Sequence, residues 1–134
     1  MMLKVLLLML VALSPGLLAC KLSNQNISQV AVSDSVLNKI TFDLSQISPD
    51  GLIGPPDGRR SLSYEFCIPA TENHLNEVRL INPTIQISRS PGRIGCTQNQ
   101  YLCIGETHTP QWREVLIAIA KLDYVQRIDQ FFGE

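Results

Sequence analysis

An alternation of apolar and polar residues between Ser61 and Pro69 predicts the central strand of the domain. The apolar positions are Leu62, Tyr64, Phe66 and Ile68, and the positions between them are Ser61, Ser63, Glu65 and Cys67. A two-residue period of this kind is typical of a strand that is buried on one face only. We therefore expect the rest of the domain to cover the apolar face of this strand.

The chain after this strand predicts two helices and three further strands. A Thr71 N-cap, apolar residues at helical spacing and a stop at Asn82-Pro83 indicate the first helix. Thr109-Pro110, a capping residue followed by proline at the first helical position, predicts the start of the second. The further strands are expected at Thr84–Ser88, Gln100–Gly105 and Tyr124–Phe132.

This order of elements predicts an α+β fold of the ferredoxin-like type, βαββαβ, over residues 61–134. Right-handed crossovers place both helices on one face of a four-stranded antiparallel sheet, with the first and third strands innermost. The side chains expected beneath the helices include Leu62, Phe66, Leu102 and Ile104. The opposite, open face is then expected to carry Ser63, Glu65, Tyr101 and Cys103. We expect it to be the contact surface for a partner unless the arm over Ile40–Leu44 covers it.

The N-terminus has the pattern of a secretory signal. Lys4 precedes the nine-residue apolar run Val5–Leu13, which is too short to cross a bilayer as a helix, and Ser14-Pro15-Gly16 interrupts it. We therefore expect residues 1–19 to be a cleaved leader, and the protein to be exported.

The four residues that follow make this expectation more specific. Leu17-Leu18-Ala19-Cys20 resembles the lipobox of bacterial prolipoproteins. The resemblance implies that Cys20 becomes the acylated first residue of the mature chain and holds the protein at a membrane, on the periplasmic or cell-surface side. The alternative is ordinary cleavage after Ala19, which leaves Cys20 as a plain thiol.

Residues 20–60 are interpreted as the lipidated N-terminus, a polar tether and an arm. The tether is Lys21–Asp34, which is rich in Asn, Gln and Ser. Alternation over Ile40–Leu44 predicts a short strand or a packed arm, and a helix over Val36–Lys39 is equally consistent with the sequence. Turn signals at Ser48–Gly51 and Gly54–Gly58 mark the boundary before the main domain.

The charge balance argues against a nucleic-acid partner. The chain has 11 Lys and Arg against 12 Asp and Glu, and loss of the leader removes one lysine. A mature chain of this slightly acidic balance has no basic footprint for nucleic acid.

Three cysteines and one histidine are expected toward the same end of the sheet. In an exported protein we favour one disulfide with one thiol left over, drawn from Cys67, Cys96 and Cys103. Cys67–Cys96 is preferred because Cys96 lies in a loop that can reach the strand. The alternative is a metal-handling protein that uses the three cysteines with His74, although their spacing matches no zinc signature.

Two further segments carry candidate chemistry. Arg89 and Arg93 lie in the glycine-containing loop Ser88–Gly95, which could bind a phosphate or carboxylate, or could be a solvated hairpin. Glu106 and His108 could form an acid–base pair, but capping and turn roles explain them more simply. An enzyme acting on an anionic substrate through Arg89, Arg93 and His108 is therefore a third alternative.

Three stretches of the body resemble small uncharacterised bacterial proteins, cyanobacterial ones among them, and this resemblance implies no activity. They are Ser63–Pro69, Gly92–Cys96 and Gly105–His108. The sequence thus predicts a lipid-anchored binding module without catalytic residues or a cofactor. Its partner, besides the membrane, is an unidentified protein or small molecule.

Overall fold

The computed structural model of the protein describes Gly16 and residues 31–133. These residues include a compact unit that begins at Val32. The predicted leader, except for Gly16, lies outside the described residues, as do Cys20, which is predicted to be acylated, and most of the predicted tether.

The described residues form an α+β unit with three α-helices and two antiparallel sheets. The helices are α1 (Asp34–Leu37), α2 (Glu72–Ile81) and α3 (Trp112–Ala120), and a 3₁₀ turn covers Leu44–Gln46. The strands are β1 (Leu52–Ile53), β2 (Arg60–Ser61), β3 (Ser63–Pro69), β4 (Gln86–Ser88), β5 (Gln100–Glu106) and β6 (Ile128–Phe131). The α+β class predicted from the sequence is confirmed.

The larger sheet has the strand order β4-β5-β3-β6, and all its neighbouring strands are antiparallel. Helix α2 joins β3 to β4, which run parallel with β5 between them. Helix α3 joins β5 to β6, which run parallel with β3 between them. Strands β3 and β5 are therefore the inner pair, as their position in the sequence order predicts. The smaller sheet is the antiparallel pair β1-β2.

Helix α2 follows its sequence signals closely. The Thr71 hydroxyl accepts the backbone N–H of His74 at 3.3 Å, so one donor of the first turn is satisfied. The helix ends at Ile81, just before Asn82-Pro83, as predicted.

Helix α3 begins two residues later than the sequence predicts. Thr109 and Pro110 form a turn instead, in which the Thr109 N–H donates to Thr107 O at 2.8 Å. Gln111 follows with φ of 58°, in the left-handed region, and the first helical residue is Trp112. The predicted cap at Thr109 is therefore wrong, because the preceding turn takes this segment out of the helix.

The register of the sheet decides which side chains enter the core. Phe66 stands opposite Cys103 on β5 and Ile128 on β6, and directly paired residues project from the same face. These three residues are completely buried in one hydrophobic cluster, which also contains apolar side chains of α2 and α3. We call this the helix face of the sheet.

The orientation predicted for β5 is wrong. Leu102 stands opposite Cys67, and Ile104 stands opposite Glu65. Both side chains therefore project from the face opposite the helices. Cys103, predicted on the open face, lies in the core instead, and Tyr101, also predicted there, stands opposite the buried Ile68 and packs against the core. Four consecutive apolar residues in β5 leave its orientation undetermined by alternation, and the pairing register with β3 determines it.

Residues 32–60 belong to the same compact unit as the sheet. Ile40 forms a parallel bridge with Ile128, with the Thr41 N–H donating to Ile128 O at 3.0 Å. Ile40 and Ile47 are buried members of the core cluster. The segment has a short helix, α1 at Asp34–Leu37, which begins and ends two residues before the predicted Val36–Lys39, and a single strand-like bridge at Ile40 instead of a strand over Ile40–Leu44.

Candidate functional site

The disulfide preferred from the sequence is present. Cys67 on β3 and Cys96 in the loop before β5 are joined, with their Cα atoms 5.5 Å apart. Cys103 is a buried free thiol on the other face of the sheet. The disulfide thus connects the loop between β4 and β5 to the centre of the sheet.

The alternative metal set is not assembled in this arrangement. Cys67 and Cys96 are bonded to each other, and a disulfide does not supply thiolate ligands. The His74 ring Nδ1 lies 2.6 Å from the Thr71 hydroxyl, and the ring packs edge-on against Tyr124 at a centroid distance of 4.5 Å. Among the residues that the structure describes, no group of three or more His, Cys, Asp or Glu side chains could hold a metal ion.

The two arginines of the predicted anion loop have different contacts. The Arg89 guanidinium lies over the Tyr101 ring at 4.5 Å and donates to Gln98 O at 3.4 Å. The Arg93 guanidinium lies 6.0 Å from the centre of the Phe132 ring. Anion binding by this loop stays a prediction.

The segment that contains His108 has a structural role in this fold. Thr107 is completely buried; its hydroxyl donates to Gly51 O at 2.7 Å and accepts the Leu62 N–H at 3.0 Å. The ring Nδ1 of His108 lies 2.9 Å from Asp50 O. These contacts attach the turn before β1 to the end of β5.

The loop held by the disulfide covers part of the sheet face opposite the helices. The backbone N–H of Ile94 donates to Glu65 Oε1 at 2.8 Å, and Arg127 donates to Ile94 O at 3.3 Å. Gly92 has φ of +61°, and a Cβ at this position would lie 2.9 Å from Glu65 Oε2 and 2.9 Å from Leu102 Cδ1. The loop between β4 and β5, which contains Gly92 and Ile94, therefore covers part of the face that was predicted to be open.

Glu65 is the most unusual group on this face. Its side chain is only 1% exposed, and its Oε2 has no hydrogen-bond partner among the described residues. Burial raises the pKa of this carboxyl, and the charge of Asp129 acts in the same direction. The Ile94 N–H and the positive charges of Arg93 and Arg127 oppose the rise. A buried carboxylate oxygen without a partner is costly, and this makes Glu65 a candidate site residue.

Glu65 lines a cavity of about 740 Å³. The walls come from the segment after α1, from the β1-β2 hairpin, from β3 and β6 and from the loop held by the disulfide. The lining residues are Thr41, Phe42, Asp43, Gln46, Ile53, Gly54, Leu62, Glu65, Arg93, Asp129, Gln130 and Phe132. We call this cavity the Glu65 pocket.

Asp129 is the second carboxylate of the Glu65 pocket, and both of its oxygens have partners. The Thr41 hydroxyl donates to one oxygen at 2.9 Å, and Arg127 Nε donates to the other at 2.9 Å. Asp129 stands directly opposite Glu65 in the β3-β6 pair. The pocket therefore contains one satisfied carboxylate beside one with an unsatisfied oxygen.

The sequence pattern places Glu65 on the face that was expected to contact a partner, but it does not distinguish Glu65 from its neighbours there, and it gives no role to Asp129. One signal was present, since an acidic residue occupies a strand between two aromatic neighbours, Tyr64 and Phe66. Its burial depends on the loop that covers it, and alternation along a strand contains no information about such a cover.

No helix among the described residues is long and apolar enough to span a bilayer. No family model, no curated protein and no solved structure matches this sequence.

Proposed function

We propose that the protein is a lipid-anchored, extracytoplasmic binding module without catalytic activity, and that its binding site is the Glu65 pocket. The observation that carries this proposal is Glu65, a residue of the cavity lining whose Oε2 is buried without a hydrogen-bond partner among the described residues. A protein that buries such an oxygen gives up the stability of a satisfied one, and a bound ligand can restore the missing hydrogen bond.

The dimensions of the pocket support this role. Its volume of about 740 Å³ is within the range of roughly 300–1,000 Å³ that is usual for small-molecule sites. Phe42, Ile53, Leu62 and Phe132 give it apolar surface, and the carboxylates, one guanidinium and several uncharged polar side chains can orient a ligand.

The finer description of the fold is part of the proposal. We assign residues 63–131 to the ferredoxin-like arrangement, because the order strand, helix, strand, strand, helix, strand combines with the sheet order β4-β5-β3-β6. In this arrangement the pocket lies at the face opposite the helices, and residues 32–60 are an addition that supplies one of its walls.

Anchoring is tested on the full chain expressed in a bacterium that processes lipoproteins. We expect the mature protein in the membrane fraction, with Cys20 as its first residue and with the mass of attached acyl groups. A Cys20→Ala variant is expected to leave the membrane fraction. An unmodified mature N-terminus, or a Cys20→Ala variant that stays with the membrane, would contradict the anchoring.

Binding is tested by titrating the protein with a library of small molecules that contains cations, anions and neutral compounds, and by recording amide NMR spectra. Binders are expected to shift amides of the pocket lining, including Ile53 and Gln130. Gln46→Trp places a large ring on an exposed lining position and is expected to abolish these shifts. The control is Asn76→Trp, at an exposed position of α2 that is not part of the lining. Binders that shift only residues outside the lining would contradict the proposal.

A further inference from the structure

We propose that the Glu65 pocket selects a ligand with a positively charged primary amine on a short apolar body. This inference rests on the proposed binding function and names the class of ligand. The charges of the lining, the position of Arg93 and the aromatic rings at the pocket carry it together.

The lining has an excess of negative charge. It contains three carboxylates, those of Asp43, Glu65 and Asp129, and one guanidinium, that of Arg93. Asp43 accepts from the N–H and hydroxyl of Ser45, and both oxygens of Asp129 have partners. The third carboxylate, Glu65, has a buried Oε2 without a hydrogen-bond partner among the described residues. Such an acceptor in a low-dielectric site favours a charged donor, since charge-assisted hydrogen bonds are roughly twice as strong as neutral ones.

Arg93 already brings a cation to this region. Its guanidinium lies 6.0 Å from the Phe132 ring centre, and its charge acts on the carboxyl of Glu65 by lowering its pKa. Among the described residues, Arg93 has no ion pair within 4 Å. A ligand ammonium can therefore compete with Arg93 for the field of Glu65 without breaking a salt bridge.

The remaining walls are suited to an apolar body with a cationic end. Phe42 and Phe132 present aromatic rings, and Ile53 and Leu62 present aliphatic surface. An ammonium group is attracted to the face of an aromatic ring, whereas a carboxylate is not. These surfaces therefore add to the discrimination that the carboxylates provide.

The test compares three probes with the same four-carbon body: n-butylammonium, n-butanol and n-butanoate. Each is titrated into the full-length protein, and the amide shifts of the pocket lining are followed. We expect n-butylammonium to bind about tenfold more tightly than the other two, a difference of about 1.4 kcal/mol. For the variants described next, preserved dispersion of the amide spectrum confirms that the protein is folded.

Two variants are expected to act in opposite directions. Glu65→Gln keeps an acceptor for the Ile94 N–H but removes the charge, and should weaken n-butylammonium binding by about tenfold. Arg93→Gln removes the competing cation and should strengthen it. Arg113→Gln, an exposed arginine of α3 outside the lining, is the control and should change nothing. A purely structural role for Arg93 would not produce tighter binding.

The outcomes separate this inference from the proposed function. If n-butanol or n-butanoate binds as tightly as n-butylammonium and shifts the same lining residues, the charge selection is wrong and the binding site stands. If the three probes leave the lining unchanged while other library compounds bind there, the ligand class is again wrong. If no compound of either set shifts the lining, both proposals are wrong.

Discussion

Ile94 donates its backbone N–H to Oε1 of Glu65 over 2.8 Å, and this contact joins the loop held by the disulfide to the central strand of the sheet. Because of it, one oxygen of a buried carboxylate is satisfied by the protein while the other is not. The same loop holds Gly92 against Glu65 and Leu102, so the loop and the carboxyl beneath it are packed as one unit.

Gly92→Ala is expected to destabilise the fold more than Gly95→Ala. Both glycines have positive φ, +61° and +84°, so each alanine has a conformational cost of about 1–2 kcal/mol. At Gly92 the added methyl also meets Glu65 and Leu102 at 2.9 Å, which adds about 1–3 kcal/mol of overpacking. At Gly95 nothing lies within 4 Å. Urea unfolding measures both variants, and equal losses of stability would contradict the close packing of the loop on the sheet.

Removal of the disulfide is expected to lower the free energy of unfolding by about 3–4 kcal/mol. The bond closes a loop with a sequence separation of 29 residues, and the cross-link restricts the unfolded chain. The measurement is urea unfolding of the Cys67→Ala/Cys96→Ala double variant beside the parent protein. A reductant should lower the midpoint of the parent and leave that of the double variant unchanged. A reductant effect of equal size on both proteins would mean that the bond is not its target.

The carboxyl of Glu65 is expected to make stability fall as the pH rises. Burial is the main cause that raises its pKa above the ordinary value of 4.5, and the charge of Asp129 raises it further. The Ile94 N–H and the charges of Arg93 and Arg127 lower it. A carboxyl with a higher pKa in the folded state binds its proton more tightly there. Its contribution is therefore most favourable below pH 4.5 and is lost as the pH rises through the folded-state pKa.

Glu65→Gln removes this titration and provides the comparison. The free energy of unfolding of the parent, minus that of Glu65→Gln, should decrease between pH 4 and pH 8 in urea titrations. Titrating groups that do not interact with Glu65 are common to both proteins and cancel in the difference. A difference that is constant or increases over this range would show that the carboxyl is not held in a destabilising environment.

The features that the sequence predicted correctly depend on local signals. The Thr71 cap and the Asn82-Pro83 stop are set by neighbouring residues, so the bounds of α2 could be predicted closely. The Cys67–Cys96 bond followed from one cysteine in a strand and one in a nearby loop. Adjacent residues determine the helix bounds, whereas the disulfide joins residues 29 positions apart that the predicted strand and loop bring together.

The features that were missed depend on pairing and cover. Leu102 and Cys103 are adjacent in β5, and both are apolar. Only the register with β3 could therefore determine which of them enters the core. Thr107 is likewise buried against a distant segment, because its hydroxyl donates to the carbonyl of Gly51, 56 residues away in the chain. The Glu65 pocket is formed by segments distant in the chain, and no local pattern indicates which segments meet.

Cys103 is expected to be unreactive in the folded protein. It is completely buried on the helix face, and burial raises the pKa of its thiol to about 12. The thiolate is the nucleophile that reacts with iodoacetamide, and at pH 8 almost none of the Cys103 side chain is in this form. Cys67 projects from the opposite face of the sheet, so the sheet itself separates this thiol from the disulfide and prevents exchange.

Peptide mass mapping measures this reactivity residue by residue and separates Cys103 from Cys20. Without reductant, Cys103 should be alkylated in urea but not in buffer, and a Cys103→Ala variant should lose that label. Rapid alkylation of Cys103 in buffer would contradict its place beneath the helices. Alkylation of Cys67 or Cys96 in urea without reductant would instead contradict the disulfide. The two results are independent, because one tests the orientation of β5 and the other tests the bond that fastens the loop over Glu65.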